Sequence, residues 1–130
     1  MPENVQNQTI FDVIGYQIPE SEIPFSNDRT FKYVDSCCTV PFWRKRASEL
    51  LDYNIDLRNW LEPREEVIGV KGWCEPSSLV MTRLEYTPCN VVTWLVGGED
   101  NVRYFVNLIV TTSKGRIKLI QFVVQTFGVS

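Results

Sequence analysis

The sequence predicts an all-β fold, an immunoglobulin-like β-sandwich of about six to eight strands with an extended N-terminal arm. Three observations predict it. Beyond residue 48, runs of β-branched, aromatic and aliphatic residues recur about every ten positions with turn residues at each break, the rhythm of a sandwich. No long window places apolar residues three and four apart, as a helix-rich fold requires. And Tyr104 opens the run 101–115, with Tyr104, Val106, Leu108 and Val110 on one face. Tyr104 stands two residues before Val106, where an antibody domain carries its second cysteine, and that is the setting of a tyrosine corner.

The elements follow in order. Residues 1–48 carry four of the seven prolines (Pro2, Pro19, Pro24, Pro41) and only short apolar pieces, such as those around Phe11 and Phe31. Proline confines such pieces to sheet edges, turns or extended arms. The stretch either docks on neighbours as an arm or packs back on its own domain as two extra strands. At the join lies Phe42-Trp43-Arg44-Lys45-Arg46. Three charges beside an acidic remainder make a solvated bend or meet an acidic neighbour.

The sandwich domain, 49–130, begins with Leu51, Tyr53, Ile55 and Leu57 alternating with Asp52, Asn54 and Asp56, which predicts a strand with one wet face. Trp60 follows in a turn and should cap one end of the core. Residues 66–74 form a second strand whose glycines, Gly69 and Gly72, mark a bulge and leave its faces unassigned. Strands follow at 79–86 and 91–96. The central hairpin is 101–115 with 117–127, turning at Ser113-Lys114-Gly115.

Composition excludes several functions. With 130 residues, 22% charged and a net charge of −3, the chain is one domain without the basic field that draws nucleic acid or an anionic membrane. The polar N-terminus has no secretory pattern and no run is long enough to span a bilayer, so synthesis in a host cytoplasm is expected. Cys37 and Cys38 are adjacent and bridge only with strain, so these and Cys74 and Cys89 read as free thiols. The chain has no histidine, hence no Ser-His or Cys-His couple. Neighbouring acids at Glu65 and Glu66 and at Glu99 and Asp100 read as solvated loops. No catalytic residue, metal site or cofactor is expected, and the chain reads as a non-enzyme.

Four tryptophans, five tyrosines and seven phenylalanines exceed what one small core needs and suggest contacts with other chains. The candidate partner-binding residues are Phe11, Tyr16, Phe31, Tyr33, Phe42, Trp43, Arg44, Lys45, Arg46 and Trp60. Among them Phe42, Trp43 and Trp60 are the expected grip.

The run from Leu51 to Leu61 (Asp-Tyr-Asn-Ile-Asp…Trp-Leu), then Ile68 to Trp73, Val92 to Gly98 (Val-Thr-Trp-Leu-Val-Gly-Gly) and Tyr104 to Arg116, resembles a family of small bacteriophage virion proteins, the fiber-tail adaptor proteins with an Ig-like fold. The resemblance covers about the last eighty residues. This chain departs from the family in a longer leading segment and a second strand richer in glycine. The resemblance implies a structural virion protein that joins the tail nozzle or hub to tail fibers as a homo-oligomeric ring, without nucleic-acid or membrane partners. A capsid decoration protein of the same fold class and a carbohydrate-binding module are the alternatives.

Overall fold

A computed structural model describes residues 10–15, 17–19, 27–33 and 40–127. Those residues form nine strands in two sheets and a single 3-10 turn, Asn27–Arg29. The strands are β1 (Phe11–Ile14), β2 (Thr30–Lys32), β3 (Phe42–Lys45), β4 (Leu51–Asp56), β5 (Val67–Glu75), β6 (Leu79–Tyr86), β7 (Asn90–Gly97), β8 (Arg103–Thr112) and β9 (Ile117–Thr126). One sheet has the order β1-β5-β8-β9-β3 and the other β2-β4-β7-β6. The predicted all-β sandwich is what forms, and the six strands after residue 48 fall where the apolar runs and the turn residues between them put them.

The strand number exceeds the expected six to eight because the described parts of the early segment pair in the same two sheets. β1 runs antiparallel to β5, β2 parallel to β4 and β3 parallel to β9. Short, proline-flanked pieces hold only three or four ladder positions each, too few for the sequence pattern to separate them from loop.

The core lies between the sheets. Tyr53, Ile55 and Leu57 from the β4 segment, Leu79 and Leu84 from β6, Leu95 from β7, Val106, Leu108 and Val110 from β8 and Phe122 from β9 are all buried there. Full burial of one such aliphatic side chain contributes about 1.5–3 kcal/mol before the entropy of ordering it is subtracted. Gly72 shows how closely the layers approach. A Cβ there would sit 3.0 Å from Cδ2 of both Leu108 and Leu84, so any larger residue makes these side chains give way. The predicted bulge lies in the same strand, where the β5–β8 register slips between Val67 and Gly69.

Tyr104 is fully buried, and its hydroxyl accepts the backbone N–H of Glu99 at 2.7 Å and lies 2.6 Å from the Ser78 Oγ. The phenol thus ties the start of β8 to backbone five residues upstream, the bond pattern expected of this residue. Gly98, which follows β7, has φ +100°, and a Cβ would come within 2.7 Å of Thr126 Cγ2 and 3.2 Å of the Tyr104 ring. Only glycine fits both constraints.

One expectation is corrected. Asp52 and Asn54, predicted to face water, are buried, and Asp56 is half-buried. The Arg29 guanidinium reaches over from the 3-10 turn, donating to the Asp52 carbonyl at 2.8 Å and pairing with its carboxylate at 3.1 Å. Asn90 donates to Asn54 at 3.3 Å, and Ile18 packs on Val92 and Trp94. The early segment therefore meets the outer face of the four-stranded sheet over β4 and β7, while Val80 and Arg83 on β6 stay exposed. Alternation tells which side chains share a face but not what lies on it.

Candidate functional site

The two sheets differ in what their outer faces meet. Residues of the five-stranded sheet that alternate with the core point away from the other layer, and many are apolar. Ile14 is 74% exposed, Ile117 70%, Leu119 52%, Phe42 48% and Phe105 43%. Exposed apolar side chains clustered on one face of a small domain make that face a candidate interaction surface.

Strand register divides this face into two ends. At one end Ile14, Gly69, Thr111 and Ile117 form one cross-strand row, and Asp12, Lys71, Ile109 and Leu119 form the next. A groove of about 280 Å³ runs along the Ile14, Ile68, Ile109 and Ile117 side chains. A polar strip follows, in which Gln121 donates to Asn107 at 2.6 Å and Asn107 donates to Glu75 at 3.3 Å. Beyond it lie the row Phe42, Val123, Phe105 and the row Arg44, Gln125, Arg103. Here the guanidinium of Arg103 sits 5.5 Å from the Phe42 ring centroid, and those of Arg44 and Arg46 sit 4.7 and 5.3 Å from that of Phe127.

The basic join is thus not a bend. Phe42 to Lys45 is a strand, and its period of two sorts neighbouring residues to opposite sides. Phe42 and Arg44 point outward, and Arg46 just beyond is exposed. Trp43 points inward, with its ring 5.3 Å from Tyr53 and 5.2 Å from Phe122 and its indole N–H donating to the Asp28 carbonyl at 2.6 Å. Lys45 is fully buried. Its ammonium donates to the carbonyls of Arg46 at 2.7 Å and Gly97 at 3.1 Å, while burial pushes its pKa down and Glu49 opposes the shift. No run of three basic letters reveals that the middle one turns in.

The remaining candidates separate in the same way. Phe11 is half-buried against the core. Phe31 and Tyr33 meet edge to face at 6.4 Å, and Tyr33 meets Trp60 at 6.1 Å. Trp60 is buried at the end of the core, as expected of a cap, with the Arg116 guanidinium stacked 4.0 Å from its ring centroid. Tyr16 lies outside the described residues. Of the ten candidates, Phe42, Arg44 and Arg46 therefore share one exposed surface.

Arg116 also anchors the buried charge of this end. It reaches both carboxylate oxygens of Glu65, at 2.5 and 2.8 Å, while the Thr112 hydroxyl and the Glu62 N–H donate at 2.5 and 2.9 Å. The Arg116 hydrogen bonds lead in holding the Glu65 pKa down at about 2, against the opposing effect of burial. Glu65 is therefore a fixed carboxylate inside an ion pair, not the solvated loop acid its sequence neighbourhood predicts. Burial alone raises the Cys74 thiol to about 12, which leaves it an unreactive core side chain. Among the described residues no three His, Cys, Asp or Glu side chains converge as a metal site requires.

Sequence reasoning missed Arg103, Phe105 and Phe127. The signal was present: if Tyr104, Val106, Leu108 and Val110 face the core, Phe105 and Ile109 are apolar residues of the wrong parity. Apolar side chains on both faces of one strand depart from the apolar-in, polar-out alternation of an antiparallel sheet with one solvated face.

Two comparisons bear on identity. 4-Hydroxy-3-methylbut-2-enyl diphosphate reductase of Clostridioides difficile (strain 630) is 28% identical over 89 residues, 64% of this chain, and the match spans only 30% of that enzyme. The family described as podophage GP4 fiber-tail adaptor protein gp77 matches residues 45–125, from the last residue of β3 to within one residue of the end of β9, and the chain belongs to that family.

Proposed function

We propose that this chain is a non-enzymatic structural protein of a tailed-phage virion, an adaptor joining the tail nozzle or hub to tail fibers, with its copies arranged in a symmetric ring. Membership of a fiber-tail adaptor family supports the tail placement. The structural observation that carries the reading is the asymmetry of the sandwich. Over β4 and β7 the outer face of one sheet is met by Ile18 and Arg29 of the chain's own early segment, while the other sheet presents exposed Ile14, Ile117, Leu119, Phe42 and Phe105. In a ring each copy contacts others of its kind as well as tail and fiber, and many modest contacts multiply through avidity.

In this proposal the chain divides at residue 48, with 1–48 acting as an arm on the sandwich of 49–130. Phe42, Arg44 and Arg46 touch partner proteins directly. Phe11, Phe31, Tyr33, Trp43, Lys45 and Trp60 serve the interface by holding the arm's strands in register. The protein is made in the host cytoplasm and resides in the virion, and its ligands are proteins rather than nucleic acid, membrane or cofactor.

The test is particle composition. Phage lacking this gene is complemented with a plasmid copy, and the chain is quantified in purified particles by mass spectrometry. A copy number matching a small tail ring, together with fiberless particles when the gene is absent, is the expected result. A copy number matching the capsid shell transfers the protein to the head, and particles that lack the chain yet carry fibers overturn the adaptor role.

A further inference from the structure

Six side chains from three distant parts of the sequence meet at one end of the open face: Phe42, Arg44 and Arg46 from β3 and its exit, Arg103 and Phe105 from β8, and Phe127 after β9. We infer that this Arg–Phe patch docks an acidic surface of another virion protein, its arginines taking that protein's carboxylates while its phenylalanines cover apolar atoms beside them. The inference rests on the adaptor role proposed above and names the partner chemistry of one part of its surface.

Charge favours such a partner. The chain as a whole carries −3, yet this patch concentrates three arginines. Arg44 and Arg103 make no ion pair among the described residues, and their guanidinium groups lie over the Phe127 and Phe42 rings. The carboxylate nearest in the ladder, Glu75, stands opposite Phe105 and takes a hydrogen bond from Asn107. The charge of Arg44 and Arg103, unmatched among the described residues, is complementary to a negative partner, and such pairing steers association and fixes register.

Preorganisation favours it as well. A guanidinium laid over an aromatic face keeps its N–H edge free while its rotamers are restrained, so less freedom is lost when a carboxylate binds in bidentate fashion. Arg44 and Arg103 flank Gln125 in one cross-strand row, which sets their backbones about 10 Å apart, two strand spacings. The partner must then offer acidic groups over a comparable span. Exposed aromatic and arginine side chains are also the composition of interface hot spots.

Nucleic acid is the competing anion. Three arginines on an acidic domain do not form the extended basic stripe that phosphate backbones require, so a protein carboxylate surface is the occupant favoured here.

The experiment adds purified chain to particles assembled without it and measures binding at salt from about 50 to 500 mM, a range that shortens the screening length from well over 10 Å to under 5 Å. Wild type should bind with an affinity that falls as salt rises and should be displaced by soluble poly-L-glutamate. R44E/R103E should bind at least about tenfold more weakly while melting within a few degrees of wild type, since both side chains are exposed. R44A/R103A should lose most of the salt dependence and F42A should keep it. Wild-type binding that ignores salt, or equal binding of R44E/R103E, overturns the inference. So does retardation of a short DNA duplex by wild type that the reversed variant loses, which assigns the patch to nucleic acid. If wild type itself fails to join the particles, the adaptor role falls; if wild type and R44E/R103E join alike, only the patch assignment falls.

Discussion

Phe42 and Trp43 are neighbours in sequence, and their truncation should have opposite consequences. Trp43 lies at the join expected from sequence to grip a partner, yet it packs its ring 5.3 Å from Tyr53 and 5.2 Å from Phe122 and hydrogen-bonds the Asp28 carbonyl. Removing a core aromatic costs about 3–5 kcal/mol, and Trp43 is only half-buried, so the low end applies. Lost ring-pair contacts, about 0.5–1.5 kcal/mol beyond area, keep the figure near 3 kcal/mol for Trp43→Ala. In a domain of this size that is a fall in Tm of roughly 10 °C. Phe42→Ala on the open face should change stability by less than about 0.5 kcal/mol and act instead on assembly. Urea denaturation of the two variants, followed by tryptophan fluorescence and circular dichroism, separates them. A Trp43→Ala loss below about 1 kcal/mol, or a Phe42→Ala loss as large as that of Trp43→Ala, would refute the inward–outward sorting of β3.

Glu65 predicts the acid response. Its folded pKa, about 2, lies below the ordinary 4.5, so the unfolded chain binds its proton first and stability falls with acid. The contribution is complete above about pH 4.5 and is lost as pH drops toward about 2, whereas Glu65→Gln should flatten that part of the urea-midpoint profile. Near neutrality the same substitution should cost about 3 kcal/mol, the low end for breaking a buried pair, because Arg116 keeps some water contact. Tyr104→Phe removes the hydroxyl shared by Glu99 N–H and Ser78, and a loss of about 1–3 kcal/mol without change in the circular-dichroism spectrum is expected. Gly98→Ala combines a positive φ with a Cβ 2.7 Å from Thr126, so a cost above about 1 kcal/mol in the same denaturation assay is expected; wild-type stability would show that the turn relaxes freely.

The strands after residue 48 were legible because each has at least six residues rich in β-branched, aromatic and aliphatic side chains with turn signals at the breaks between them. Tyr104 was legible because its place relative to the strand start carries a physical requirement. What escaped was whatever depends on objects far away in sequence. Asp52 and Asn54 look solvent-facing until Arg29 and Asn90 are brought against them. Lys45 looks like its neighbours until the Gly97 carbonyl closes on its ammonium. The Arg–Phe patch needs β9 to bring β3 and β8 together, and only the odd parity of Phe105 hinted at it.

The edges of the sandwich connect these observations. Four strands of the 49–130 segment could end a sheet: β5, β9, β4 and β6. The first three are each lined by one short strand from residues before 48, β1, β3 and β2 in turn. A long bare edge invites uncontrolled pairing with other chains, and short cover strands are one way to blunt it. The fourth edge, β6, is handled differently. Its ladder slips between Met81 and Arg83, and Arg83 and Glu85 form an exposed pair at 2.9 Å, so a bulge and charge do there what a cover strand does elsewhere. With the edges so treated, association through backbone ladders is disfavoured, and most of the exposed large apolar side chains within strands lie on the five-stranded sheet. A face binds through side chains, which can be matched to one partner; an edge binds through backbone, which is common to all. For the adaptor role proposed above, in which each copy joins unlike neighbours without joining everything, that division of labour is the physical requirement.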